Sequence, residues 1–182
     1  MIQKSDEEIL LERARALASS RTGSSAIADD AHDRYLIVLC GNDRFVIALE
    51  SVMEVFRASA VIPLPRAVAP LWGLTPWRGS IRPVIAIGNS LPEPGSGVIV
   101  ILATGSRVIA GLWAHAVEAE IAIGKNEIHA APAATGIRER LVSGVTSDAK
   151  SVFDTESLAR LLDERTREGI RTAANNSSGI KV

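Results

Sequence analysis

The sequence predicts a mainly β protein: two similar small β subdomains packed together, with a helix before them and a helix after them. Three observations carry this. From Arg34 onward the apolar residues recur at a period of two, in short runs punctuated by Gly, Pro and Asn. Segments of the first half also return in the second. Arg44-Phe45-Val46-Ile47-Ala48-Leu49 matches Arg107-Val108-Ile109-Ala110-Gly111-Leu112, Glu54 falls opposite Glu118, and Leu71-Trp72-Gly73-Leu74-Thr75 parallels Val142-Ser143-Gly144-Val145-Thr146. Finally, aromatic residues make up only 4% of the 182, so the cores must be built from Val, Ile, Leu and Ala.

The leading segment reads as a helix. Ser5 and Glu8 form a capping box, Asp6 and Glu7 suit the positive end of the helix dipole, and Leu10, Ala14, Leu17 and Ala18 make one apolar stripe. Residues 19–25 are Ser, Gly and Thr-rich, so residues 1–33 are expected to be a helix and linker. Tyr35–Cys40 and Arg44–Leu49 flank a Gly41-Asn42-Asp43 turn as a hairpin would. Pro63, Pro65 and Pro70 mark a loop, and Pro83 restricts the strand candidate Ile81–Ile87 to an edge or a strand start. Pro92 to Gly97 is the strongest breaker cluster, and the two subdomains are expected to meet near residue 94. Val98–Ala103 and Arg107–Trp113 flank a two-residue Gly105-Ser106 turn. Val117, Ala119, Ile121 and Ile123 alternate with Glu118, Glu120 and Ala122 as a half-buried strand does. Asp154 or Thr155 caps a helix with Leu158, Leu161 and Leu162 on one face, and Gly169 is its expected stop. The main domain is thus predicted over 34–169, with 170–182 a flexible tail.

Charge and composition exclude several classes. Twenty basic against twenty-one acidic side chains give a net charge of −1, without the basic excess of a nucleic-acid binder. A single cysteine, Cys40, cannot form an internal disulfide, and the histidines lack metal-ligand spacing. There is no signal-peptide block and no run of 18 apolar residues, which predicts a cytoplasmic chain with no direct membrane insertion. Gly95-Ser96-Gly97 precedes a strand, where a phosphate-binding loop needs a helix, and neither a Gly-x-Ser-x-Gly elbow nor a Gly-Lys-Ser/Thr motif occurs. His115 is expected to be structural or exposed rather than catalytic, and Glu118 and Glu120 to lie on one solvated sheet face. No catalysis, metal or cofactor is predicted.

The most informative stretch is Val52 to Ile87. Trp72 and Trp77 bracket a Gly-containing segment that ends in Arg78-Gly79. Tryptophans of this kind either fill a small core or anchor an interface. Gly79 is expected to let neighbours approach Arg78 closely. The stretch resembles the CheW-like family, the coupling proteins of bacterial chemotaxis arrays, whose pattern runs V-x-E-[VI], I-P-x-x-P, then G-x-x-N-L-R-G-x-x-x-P-V-x-D-L. Here these are Val52-Met53-Glu54-Val55, Ile62-Pro63-Leu64-Pro65 and Gly73 to Ile87, within a resemblance spanning about 34–163. The family's Asn-Leu is Pro76-Trp77 here, and its Asp is Ala86.

The resemblance implies two small five-stranded, SH3-like barrels and a non-catalytic adaptor. Its implied partners are chemoreceptors, bound in the groove between subdomains, and the histidine kinase CheA, bound at a subdomain end. The partner-binding residues would be Val52, Glu54, Trp72, Trp77, Arg78 and Gly79, with Glu54 and Arg78 shaping the receptor-facing surface. Alternatives are a diverged module of another two-component or motility pathway, a β-barrel nucleic-acid-binding module, and a small hydrolase.

Overall fold

A computed structural model of the chain describes residues 32–177, except 89–91, 94, 132–135 and 138, with side chains to residue 168. The expected leading helix lies outside the described residues. Alternating apolar runs form strands β1 (His32–Cys40), β2 (Asp43–Ala48), β3 (Val52–Arg57), β4 (Ile62–Pro63), β5 (Leu71–Trp77) and β6 (Ser80–Ile85). The second half forms β7 (Val98–Thr104), β8 (Arg107–Ala114), β9 (Ala116–Gly124), β10 (Ile128–Ala130), β11 (Val142–Thr146) and β12 (Ser151–Phe153), followed by helix α1 (Thr155–Ser177).

The strands make two six-stranded sheets. One runs β10-β11-β12-β2-β1-β9 and the other β3-β7-β8-β6-β5-β4. Each has an antiparallel hairpin at its centre, β1–β2 or β7–β8, and each hairpin accepts one parallel neighbour, β12 on β2 and β6 on β8. The count is six rather than the expected five because of the short edge strands β4 and β10.

The duplication is visible in backbone detail. Gly73 on β5 lies so near β4 that a Cβ would stand 2.7 Å from the Ile62 carbonyl oxygen. Gly144 on β11 stands in the same relation to the His129 oxygen of β10, also at 2.7 Å. Register irregularities recur at Leu71/Gly73 and Val142/Gly144, and at Val52/Glu54 on β3 and Ile37/Val38 beside β9.

Two expectations need correction. The sheets do not divide near residue 94: β3 to β8 form one sheet without interruption, while the other takes β1–β2 from before them and β9–β12 from after. The Pro92–Gly97 cluster therefore lies inside the second sheet, between β6 and β7. Prolines and glycines end a strand locally, but ladder partners far along the chain decide which sheet it joins. The internal alignment also slips. Val152 pairs with Val46 and Val84 with Gly111, so Val46 corresponds to Gly111, two residues beyond the match at Ile109. Likewise Ala119, not Glu118, occupies the place of Glu54. A slip of two keeps the same face, whereas a slip of one reverses it.

Period-two alternation sends one face of each sheet inward. Tyr35, Ile37, Val46, Ile123 and Val152 make the core of the first sheet, and Val84, Ile99, Ile101 and Trp113 that of the second. A third cluster joins them: Val38, Phe45 and Ile47 pack with Val100, Leu102 and Leu112, and α1 adds Leu158 and Leu161. Phe45 and Phe153 meet edge-on there, centroids 6.3 Å apart. Burying a leucine such as Leu158 contributes about 2 kcal/mol.

Asp154 caps α1, accepting the Ser157 amide at 2.9 Å on Oδ1 and the Ser157 hydroxyl at 2.6 Å on Oδ2. The helix does not stop at Gly169 but runs to Ser177, through most of the expected tail. One interior glycine costs about 1 kcal/mol, too little to end a helix whose neighbours favour it. Pro83 sits within β6 opposite Leu74 of β5, and the parallel ladder to β8 begins only after it, at Val84. Among the described residues no helix is long and apolar enough to cross a membrane.

Candidate functional site

The β5–β6 connection is a two-residue turn. Trp77 pairs with Ser80, leaving Arg78 and Gly79 as the central residues, with φ of +46° and +75°. Positive φ at both positions is the signature of a type I′ hairpin turn, which matches strand twist. Nothing lies within 4 Å of a Cβ built on Gly79. The glycine thus answers to backbone conformation, not to the close approach expected from sequence. Arg78 holds a conformation uncommon for a residue with a side chain.

The second sheet curves enough to bring β3 across to β5. A single oxygen, Glu54 Oε2, accepts the Trp77 indole Nε1–H at 2.9 Å and Arg78 Nε–H at 3.2 Å, and Arg78 Nη2 stands 3.0 Å from it as an ion-pair partner. The Arg78 guanidinium also lies over the Trp77 ring, 4.8 Å from its centroid. The turn tip is therefore ordered by one carboxylate while Arg78 stays open, its side chain 63% exposed.

The structure brings Glu54, Trp77, Arg78 and Gly79 together. Trp72 and Val52 stand elsewhere: Trp72 packs against the core of the second sheet, and Val52 against the cluster between the sheets. Trp77 also touches the second sheet's core, so it is both core and rim. Sequence reasoning missed Arg82, whose guanidinium lies 5.7 Å from the Trp77 centroid. The signal was the turn: once 78–79 is a two-residue loop, Thr75 faces Arg82 and both share Trp77's face.

The equivalent turn of the first sheet, β11–β12, has different chemistry. Asp148 accepts the Thr146 hydroxyl at 2.6 Å and pairs with Lys150. The hydrogen bond from Lys150, then that from Thr146, holds its carboxyl below the usual range. The duplicated turns have thus diverged into an aromatic, cationic tip and one closed by an Asp–Lys pair. His115 takes a structural place: its Nδ1 accepts the Gly41 amide at 2.8 Å and its ring stands edge-on to Trp113. Glu118 lies on an exposed face, where Arg44 grips it at 2.8 and 3.0 Å, and Glu120 beside it pairs with Arg34.

A family model for the CheW-like domain matches residues 34–165. The chain belongs to the CheW-like family. No match was found among curated proteins. The crystal structure of the scaffolding protein TtCheW from Thermoanaerobacter tengcongensis superimposes on this CheW-like domain with a TM-score of 0.56 at 22% identity. The match covers 68% of this chain and 88% of that one, a likeness of fold. Within the CheW-like domain, the segment resembling the family's Arg-Gly motif is the β5–β6 turn, and the V-x-E-[VI] segment is the β3 edge that supplies Glu54.

Proposed function

We propose that this CheW-like protein is a non-catalytic scaffold of chemotaxis signalling in the cytoplasm, coupling chemoreceptors to the histidine kinase CheA. Membership of the family supports it, as does the likeness to a protein described as a scaffold. The observation that carries it is the Glu54–Trp77–Arg78 cluster. An exposed arginine and a half-buried tryptophan are held in one arrangement by a shared carboxylate oxygen, so little conformational freedom remains to be lost on docking. The six residues Val52, Glu54, Trp72, Trp77, Arg78 and Gly79 divide accordingly. Glu54, Trp77 and Arg78 would meet the partner, Gly79 sets the turn, and Val52 and Trp72 support the sheet behind it.

The test is capture from the native cell on the immobilised chain, read for chemoreceptors and CheA. Reconstitution with purified receptor and kinase follows. Receptor-controlled kinase activity that depends on the chain is the expected result. Retention of neither partner, with reconstituted kinase activity indifferent to the chain, overturns the reading.

A further inference from the structure

The cluster at the β5–β6 turn is short of one negative charge. Two guanidinium groups, Arg78 and Arg82, lie against the Trp77 ring, and one carboxylate, Glu54, serves Arg78 and the indole. Arg82 has no carboxylate partner among the described residues. Its Nε–H is buried and makes no hydrogen bond, and directly across the ladder the fully buried Thr75 hydroxyl makes none either. Buried polar groups are ordinarily paired; Thr75 is wholly enclosed, whereas Arg82 is half-buried, so of the two only the guanidinium is within reach of a docked side chain. A guanidinium is weakly hydrated, stacks on aromatic faces and presents a planar fork that fits a carboxylate.

The turn is open, since Arg78, Gly79, Ser80 and Ile81 are all exposed. An open tip cannot enclose a small free anion, whereas a side chain carried by a docked protein needs no enclosure. Arg82 itself is half-buried, on the face it shares with Trp77, while Ile81 and Pro76 are exposed on the other face of the hairpin. We propose that Arg82, braced on Trp77, receives the carboxylate of an Asp or Glu side chain of the docking partner, and so selects a partner that presents an acid to this turn. This rests on the scaffold role proposed above and adds to it the residue that chooses the partner.

The test uses two probes, the purified cytoplasmic tip of a chemoreceptor from the same cell and the CheW-like domain of its CheA, each titrated calorimetrically into the full chain. Arg82→Gln should weaken binding of one of them by about tenfold or more, and Arg82→Lys, which keeps charge but loses the fork, by less. An Asp→Asn and Glu→Gln scan of that probe should find one carboxylate whose loss costs as much and adds nothing further to Arg82→Gln. If Arg82→Gln binds every probe that the wild-type chain binds, and equally well, this proposal alone fails. If neither probe binds the wild-type chain, the scaffold reading falls and this proposal with it. Should Arg82→Gln fail to fold, the scan against wild-type protein decides, and the absence of a carboxylate worth about tenfold overturns the proposal.

Discussion

Removing the Arg78 side chain separates what it does for the fold from what it does for a partner. The pair with Glu54 spans 3.0 Å, but its side chains are 63% and 39% exposed, so solvent screening holds its worth to about 0–1 kcal/mol. The stacking on Trp77 at 4.8 Å adds about 0.5 kcal/mol at an exposed site. Backbone strain at φ +46° falls on Arg and Ala alike, so Arg78→Ala should lose about 1 kcal/mol. Arg78→Gly loses the same contacts but recovers about 1 kcal/mol of left-handed strain, and should be nearly neutral. Urea unfolding measures both. In a reconstituted receptor–CheA assay both should lose kinase control equally, because neither keeps the guanidinium. A cycle with Glu54→Ala should then be non-additive. Kinase control that survives Arg78→Gly, or a strictly additive cycle, would refute the reasoning. A stability loss above about 3 kcal/mol would place Arg78 among structural residues instead.

The paired glycines give a test of the duplication: Gly73→Ala and Gly144→Ala each force a methyl group onto a backbone oxygen 2.7 Å away, and each should cost about 1–3 kcal/mol by chemical denaturation, in near-equal amounts. Leu158→Ala empties a fully buried site under both sheets and should cost about 2–5 kcal/mol, read by thermal melting. Hydrogen bonds from Arg107 hold the Asp163 carboxyl below its usual range, and those from Arg44 do the same for Glu118. Their folded values lie below the unfolded ones, so the stability they add is complete above the ordinary carboxylate range and drains away as pH falls below about 4. Asp163→Asn should flatten that acid limb in a series of urea midpoints against pH, and an unchanged slope would contradict the assignment.

The strands were legible because their information is local. The apolar run Val98–Ala103 and the alternation of Val117–Ile123 need only neighbours along the chain, and the Gly105-Ser106 turn lies where two residues separate two apolar runs. The sheets were not legible, since no local feature tells β9 to pair with β1, more than seventy residues away. The internal repeat was detectable, but its register was not, because bulges insert single residues that an alignment of apolar letters absorbs without penalty. Glu54 and Arg78 could be proposed as a pair only through family resemblance. Their meeting depends on the curvature of a sheet whose ladder sets them four strands apart. Arg82 was hidden for the same reason as the turn type: its place beside Trp77 exists only once residues 78–79 are known to be the whole loop. Gly169 misled because a stop signal is a preference of about 1 kcal/mol, and α1 outweighs it.

The nesting of one sheet inside the other sets an order of events during synthesis. As the chain leaves the ribosome, β1 and β2 emerge first, yet their outer neighbours β9 and β12 come only after every strand of the other sheet. At about 5–20 residues per second the early hairpin waits several seconds with both edges open. Its Val46, wholly enclosed in the finished molecule, pairs with Ile37 inside the hairpin, but its partner on the other side, Val152, arrives only with β12. The second sheet is contiguous in the chain and waits less: β4, β5 and β6 pair in order, and β3 and β6 await only the β7–β8 hairpin. The nascent protein therefore spends that interval with an unpaired β1–β2 ribbon, and its vulnerability to mispairing is concentrated there rather than at the β5–β6 turn.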